Sequence, residues 1–451
     1  MAQNAGNLGR ALAQWAARLR YEDLPPAAIE QVKRLLLDTL AVAWAGSGAD
    51  GITPVLELAR HQEGRPESGV WAFGGRMPAP QAAFVNGMMA AALDFDSVHD
   101  EATVHADVVV LPAVLALAER DGLSGREFIA AYAAGDEILL RLGLSVERHP
   151  GWFYTSVLGV FAAAAAAGRA LHMNSDAIQM AMGVALGRAA GTQQPLVERS
   201  LTKRLQSAFA ARDGVEAALL ARAGVTAPAD MFGGQCGFEA LYAGLDDARV
   251  LAGLGSEYLL LSLTLKKYAS CFCNHAAIEA TLELVQRRGL RADDVKDAVV
   301  RISPFMARLV GAAFAPGGNP QVAAQFSVQY SIASALLRRR FSVDDIQPAA
   351  VADPAVVALA QRIRVDIDPA QQGKFAPATL TVRTHTGAEL SATATRIPGT
   401  PARPMSDGEL REKATACFRV GARPMTAAGA ERLIARIERV EEIGDMKDLW
   451  S

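Results

Sequence analysis

Residues 27–45 read AAIEQVKRLLLDTLAVAWA, and apolar side chains recur through them at helical spacing. Pro25-Pro26 stands at the start and Gly46 follows the end, the usual punctuation of a helix. The same periodicity returns over 81–93, 112–119, 125–144, 156–171, 175–190 and 208–223, while strand-like alternation is nearly absent before residue 265. An all-α domain is the expectation for this half. The pattern then changes. Residues 296–303 (KDAVVRIS) and 361–366 (QRIRVD) alternate like strands, and 378–384 (ATLTVRT) is joined by a His385-Thr386-Gly387 turn to 389–395. A helical stretch, 323–338, lies between them, and 406–442 is helical again. The fold expected is mainly α: a large all-α helical domain, 1–265 plus 395–451, with a smaller inserted α+β lid domain, 266–394.

Size and composition bound the class. A chain of 451 residues exceeds one compact core, so two domains are the default. With 51% apolar and 21% charged residues it reads as an ordinary globular protein. A net charge of −3, with no block of like charges, speaks against a nucleic-acid partner. The four cysteines are too few for a disulfide scaffold. The first 20 residues read as polar and helical, not as a secretion signal. The longest apolar run, 157–167, is short of the roughly 20 residues a membrane span requires. A cytoplasmic location with no membrane partner follows by elimination. The six alanines of 162–167 read as a buried helix closely packed by its neighbours.

Three clusters concentrate the ionisable chemistry. Residues 93–112, LDFDSVHDEATVHADVVVLP, bring Asp94, Asp96, His99, Asp100, Glu101, His105 and Asp107 against an apolar run. Such crowding beside a buried element pushes pKa values apart, as proton transfer requires. Divalent metals accept His and carboxylate ligands, but no HExxH or other tight spacing occurs, and a metal-free acid/base site is the better use of these residues. In the second cluster, Arg199-Ser-Leu-Thr-Lys203-Arg204, Lys203 projects from a helix start and would clamp a substrate carboxylate. The third is Lys266-Lys267-Tyr268-Ala-Ser-Cys271-Phe-Cys273-Asn-His275, at the domain junction where ligand sites are favoured. Desolvation of one of its lysines would lower the pKa toward the working range of a base. Cys271-Phe-Cys273 is not CxxC and has no second pair, so structural zinc is not expected. The chain has no GxGxxG opening a βαβ unit, no GxxxxGK[ST] and no GxSxG, which removes the common nucleotide and serine-hydrolase readings.

These clusters, in this order, resemble the MmgE/PrpD family over nearly the whole chain. Leu93-Asp-Phe-Asp96 with His105 is similar to DFDD…HPS, and Thr202-Lys203-Arg-Leu205 with Ala210-Ala211 to K-x-L…AA. Lys266-Lys-Tyr268 with His275-Ala-Ala-Ile-Glu-Ala280 resembles K-P-Y-P-C-C…H-x-A-I-D-A. Ala324-Gln-Phe-Ser327-Val-Gln-Tyr330 resembles A-Q-F-S-x-x-Y, and further matches lie at Leu24-Pro25, Arg34–Leu40, Gly399–Pro401 and Pro404–Ser406.

The resemblance implies a homodimer without metal or organic cofactor that acts on small polycarboxylates as a dehydratase, decarboxylase or epimerase. It places the acid/base aspartate at Asp94, the first histidine at His105, carboxylate-binding lysines at Lys203 and Lys266, and the lid tyrosine at Tyr330. Lys267, Arg204, Cys271, His275, Phe153 and Val98 are the accompanying substrate-binding candidates. Departures are as informative: Val98 stands for the family's threonine, Ala106-Asp107 for Pro-Ser, and Phe153 for its second histidine. Tyr154 beside it is the candidate replacement acid. The expected function is a cofactor-independent lyase of the hydratase/dehydratase type on a di- or tricarboxylate. Epimerisation of an amino- or imino-dicarboxylate, decarboxylation of a cis-aconitate-like acid, and a silent carboxylate-binding member are the alternatives.

Overall fold

The computed structural model describes residues 7–451 and divides into two compact units. The first unit comprises 7–92, Asp96–Leu263 and Gly421–Ser451, and the second Leu93–Phe95 and Thr264–Val420. The molecule is mainly α with a smaller α+β unit, as its periodicity predicts.

The first unit is built from helices α1 (Leu8–Arg18), α2 (Pro26–Gly46), α3 (Ala79–Ala91), α4 (Asp107–Asp121), α5 (Gly125–Ser145), α6 (Gly159–Ala170), α7 (Ser175–Leu186) and α8 (Thr202–Arg222). Residues 1–6 of the expected N-terminal helix lie outside the described residues. Helix α8 packs on α3, α6 and α7, and α4 packs on α3 and α6. The alanine run of α6 is buried throughout. It allows close approach: a Cβ on Gly214 of α8 would lie 2.4 Å from the Cβ of Ala163. Helix α4 begins five residues before Pro112, where periodicity placed its start. An internal proline costs about 3 kcal/mol. Val108, Val109, Val110 and Leu111 are all buried, at about 1.5–3 kcal/mol for each side chain removed from water, so burial wins.

The second unit contains α9 (His275–Arg287), β1 (Val295–Ile302), α10 (Val328–Arg338), β2 (Ile363–Ile367), β3 (Ala378–Thr384), β4 (Glu389–Ala394) and α11 (Asp407–Phe418). Its sheet has the order β2-β1-β3-β4, with β1–β2 parallel and the other pairs antiparallel. Val295, Ala298, Val300 and Ile302 of β1 are buried, and α9 covers β3 and β4. The stretch 323–338 is two helices, because the Ser327 side chain caps α10 by accepting from the Tyr330 N–H.

The chain returns to the first unit at Gly421 rather than at residue 395. Local ties hold 395–420 in the second unit. The Leu265 N–H donates to the Gly399 carbonyl at 3.1 Å, Arg419 pairs with Asp344 at 2.7 Å, and Lys413 reaches the Lys266 carbonyl. Gly399 has φ +89°, and a Cβ there would stand 1.8 Å from the Leu265 oxygen, so the approach needs glycine. The long expected helix 406–442 is accordingly two, α11 and α12 (Ala427–Ile437), separated across the unit boundary.

Candidate active site

Of the seven ionisable residues in 94–107, the fold buries some and spends others on the loop itself. His99 Nδ1 accepts from the Ala102 N–H at 3.1 Å, so Nε2 carries the proton to Ser262 Oγ at 2.9 Å. His99 pins the turn. Asp100 and Glu101 are exposed, and Glu101 pairs with Arg249 at 3.3 Å.

In the second unit, Asp94 is buried in a left-handed conformation, φ +51°. Such a backbone is unfavourable for a non-glycine residue and persists where surrounding bonds over-determine it. Lys266 supplies them, with Nζ donating to the Asp94 main-chain oxygen at 2.6 Å and to Oδ2 at 3.2 Å. Lys413 of α11 brings a second buried ammonium. It donates to the carbonyls of Lys266 (2.7 Å) and Phe95 (3.1 Å) and lies 3.8 Å from the centroid of the Phe95 ring. Sequence reasoning missed Lys413, which shares a helix face with the buried Leu410, Ala414 and Cys417. That position was the available signal.

His275, at the start of α9, stacks on Phe272 with ring centroids 4.5 Å apart. Burial, reinforced by the Lys266 and Lys413 charges, pushes its pKa down to about 3, so the imidazole is neutral. Cys271 and Cys273 are buried free thiols in mutual hydrogen-bond contact. That contact, aided by the charge of Lys266, lowers the Cys271 thiol, while the Cys273 thiol is raised by the same contact and by burial.

In the first unit, His105 Nδ1 lies 2.7 Å from Asp96 Oδ2 and 2.9 Å from the Ser97 carbonyl oxygen. Both partners accept, so Nδ1 carries a proton and Nε2 is the nitrogen that exchanges one in the neutral ring. The His105 N–H donates to Thr155 Oγ1 at 3.1 Å. The ring is partly exposed, whereas Asp96 is buried. Behind this dyad Asp107, at the first turn of α4, accepts from Ser97 Oγ and from the Tyr132 hydroxyl. Burial raises Asp107 to about 6, and burial with the neighbouring Asp107 charge raises Asp136 of α5 well above the ordinary aspartate range.

The remaining candidates divide. Lys203 occupies the first turn of α8 and is partly exposed. Arg204 is buried, donates to the Asp50 carbonyl at 2.7 Å, and is drawn down to about 10 by desolvation. The ambiguity between adjacent lysines resolves: Lys266 is buried on Asp94, while Lys267 forms an ion pair with Glu409 at 2.8 Å. Tyr154 donates its hydroxyl to the Arg148 carbonyl at 2.6 Å. Tyr330 likewise donates to the Asp345 carbonyl. Val98 is buried and Phe153 partly so. Among the described residues, no group of three or more His, Cys, Asp or Glu is placed to hold a metal ion, and no helix is long and apolar enough to cross a membrane.

Residues 10–251 match the MmgE/PrpD N-terminal domain and residues 268–440 the MmgE/PrpD C-terminal domain. A cis-aconitate decarboxylase of Aspergillus terreus is 30% identical over 354 residues, covering 72% of this chain and 71% of its own. Cis-aconitate decarboxylases of Homo sapiens and Mus musculus are 27% and 26% identical, each covering 95% of this chain and 90% and 89% of their own. With both family domains spanned in order, the chain belongs to the MmgE/PrpD family.

Proposed function

We propose that this chain is a lyase that acts on a small di- or tricarboxylate by moving a proton next to a carboxylate, in the hydratase/dehydratase sense. The observation that carries this reading is the Asp96–His105 pair. Its Nδ1 is held by two acceptors, and its ring is accessible enough to meet a substrate. A carboxylate behind a histidine favours one tautomer and stabilises the imidazolium formed on proton uptake, which is the arrangement of a general base. Nε2 takes the α-proton and returns it to the leaving hydroxyl as water departs, leaving an alkene. Charge that builds on the neighbouring carboxylate during proton loss calls for fixed cations. Lys203, in the same unit as His105, is the cation we assign to that task. Lys266, held against Asp94, is the carboxylate-binding cation we assign within the second unit by itself. The family and its named relatives support a polycarboxylate as substrate class. Decarboxylation is the second reading, favoured by those relatives' names.

Proton NMR in deuterated water with a panel of di- and tricarboxylates separates the outcomes. A new alkene signal without carbon dioxide is expected. Carbon dioxide release would establish the decarboxylase reading, and α-deuterium wash-in without an alkene would indicate an epimerase of an amino- or imino-dicarboxylate. No exchange or reaction with any member of the panel would overturn the enzymatic reading in favour of a silent binding protein.

A further inference from the structure

The proton-bearing nitrogen of His105 is held by two consecutive residues, the carboxylate of Asp96 and the main-chain carbonyl of Ser97. The geometry of that nitrogen therefore depends on what holds the 96–97 turn. Ser97 is fully buried, and its hydroxyl donates to Asp107, itself fully buried at the start of α4. Asp107 is in turn gripped from α5 by the Tyr132 hydroxyl. A buried carboxylate accepting two hydroxyls is costly to desolvate and unnecessary for packing alone, since an apolar side chain fills such space without the penalty. We infer that Asp107 is a positioning residue: through Ser97 it fixes the turn that presents both acceptors to His105 Nδ1, and so keeps the exchangeable site on Nε2. The inference rests on His105 as the proton-transfer group and extends it to residues that do not touch the imidazole.

Nitrogen-15 NMR of the histidine rings in the full chain tests this, with His105 assigned by comparison with His105→Gln and spectra taken where the ring is neutral. The wild-type ring is expected as the Nδ1–H tautomer. Ser97→Ala and Asp107→Ala should each lower the Nδ1–H to Nε2–H ratio by about three- to tenfold, the worth of one ordinary hydrogen bond. Tyr132→Phe removes the other hydroxyl on Asp107 but spares the Ser97 link, and should move the ratio less than about twofold. Should Asp107→Ala fail to fold, Ser97→Ala removes only a hydroxyl and decides the matter. An unchanged ratio in folded Ser97→Ala overturns the inference, as does an equal change in Tyr132→Phe, which would signify general loosening of α4 against α5. The readout needs no substrate. A chain inert toward every polycarboxylate would sink the proposed reaction while leaving this ring signature as the judge of the positioning role.

Discussion

Asp96 Oδ2 lies 2.7 Å from Nδ1 of His105, nine residues further along the chain. The intervening loop is closed by the His99 N–H donating to the Val104 carbonyl and by the Thr103 N–H donating to the His99 carbonyl, both at 3.1 Å. The loop turns back on itself, and carboxylate and imidazole meet.

If that pair moves the proton, His105→Gln and Asp96→Ala each lower kcat by about 10²–10⁴, the usual contribution of general acid–base catalysis. The double variant loses little more than the worse single one, because the two groups act as a unit. Steady-state turnover on the acid identified by NMR measures all three. Independent, multiplying losses would show that they do not act together.

Lys266 and Asp94 form a pair almost wholly removed from water. Lys266→Met removes the ammonium paired with a buried carboxylate and is expected to cost about 3–5 kcal/mol of stability. Adding Asp94→Asn should return much of that loss, since the buried side chain then carries no charge. Urea unfolding midpoints of the wild type, the single and the double variant provide the comparison.

Glu137 and Arg141 of α5 are likewise buried, 3.2 Å apart. Arg141 also donates to the carbonyls of Val250, Ala252, Gly253 and Glu257, while Glu137 accepts from the Leu260 N–H. One guanidinium thus organises a segment that forms no long helix. Arg141→Met should destabilise by about 3 kcal/mol or more. Amide exchange should rise first over 250–260; an increase confined to the core helices would contradict the anchoring role.

Burial lifts Glu137 to about 7 and raises Asp136 well above the ordinary aspartate range. From about pH 4 upward the unfolded chain gives up these protons while the folded chain keeps them. Stability is therefore greatest with respect to these groups at low pH, and falls as pH rises toward 7, by at most about 1.4 kcal/mol per pH unit for each proton. Asp136→Asn removes one such group. Its unfolding midpoint should vary less between pH 5 and 8, with a gain over the wild type at pH 8.

Much of the fold is legible from period alone. The 27–45 stretch appears as α2, the 378–384 strand at its expected bounds, and the sheet where alternation sets in after residue 295. Local rules failed where contacts distant in sequence outweighed them. Pro112 does not open α4, because the preceding aliphatic residues gain more by burial than the proline costs. Asp94, His105 and Lys266 were readable as candidates from their company in the sequence. Lys413 was not, because its partners, the carbonyls of Lys266 and Phe95, lie 147 and 318 residues away. Tyr154 was legible as a candidate acid and Tyr330 as the lid tyrosine, and only their hydrogen bonds to main-chain carbonyls show how their protons are engaged.

The sequence by itself determined the family, the succession of helices and strands, and the crowding of charge at 94–107. These depend on side-chain periodicity and on neighbours a few residues apart. Only the tertiary structure decided which of those charges are buried, which acceptors hold Nδ1 of His105, and which of two adjacent lysines meets Asp94. A charged group's protonation and partners follow from its distance to water and to other charges in space, and chain order does not specify those distances.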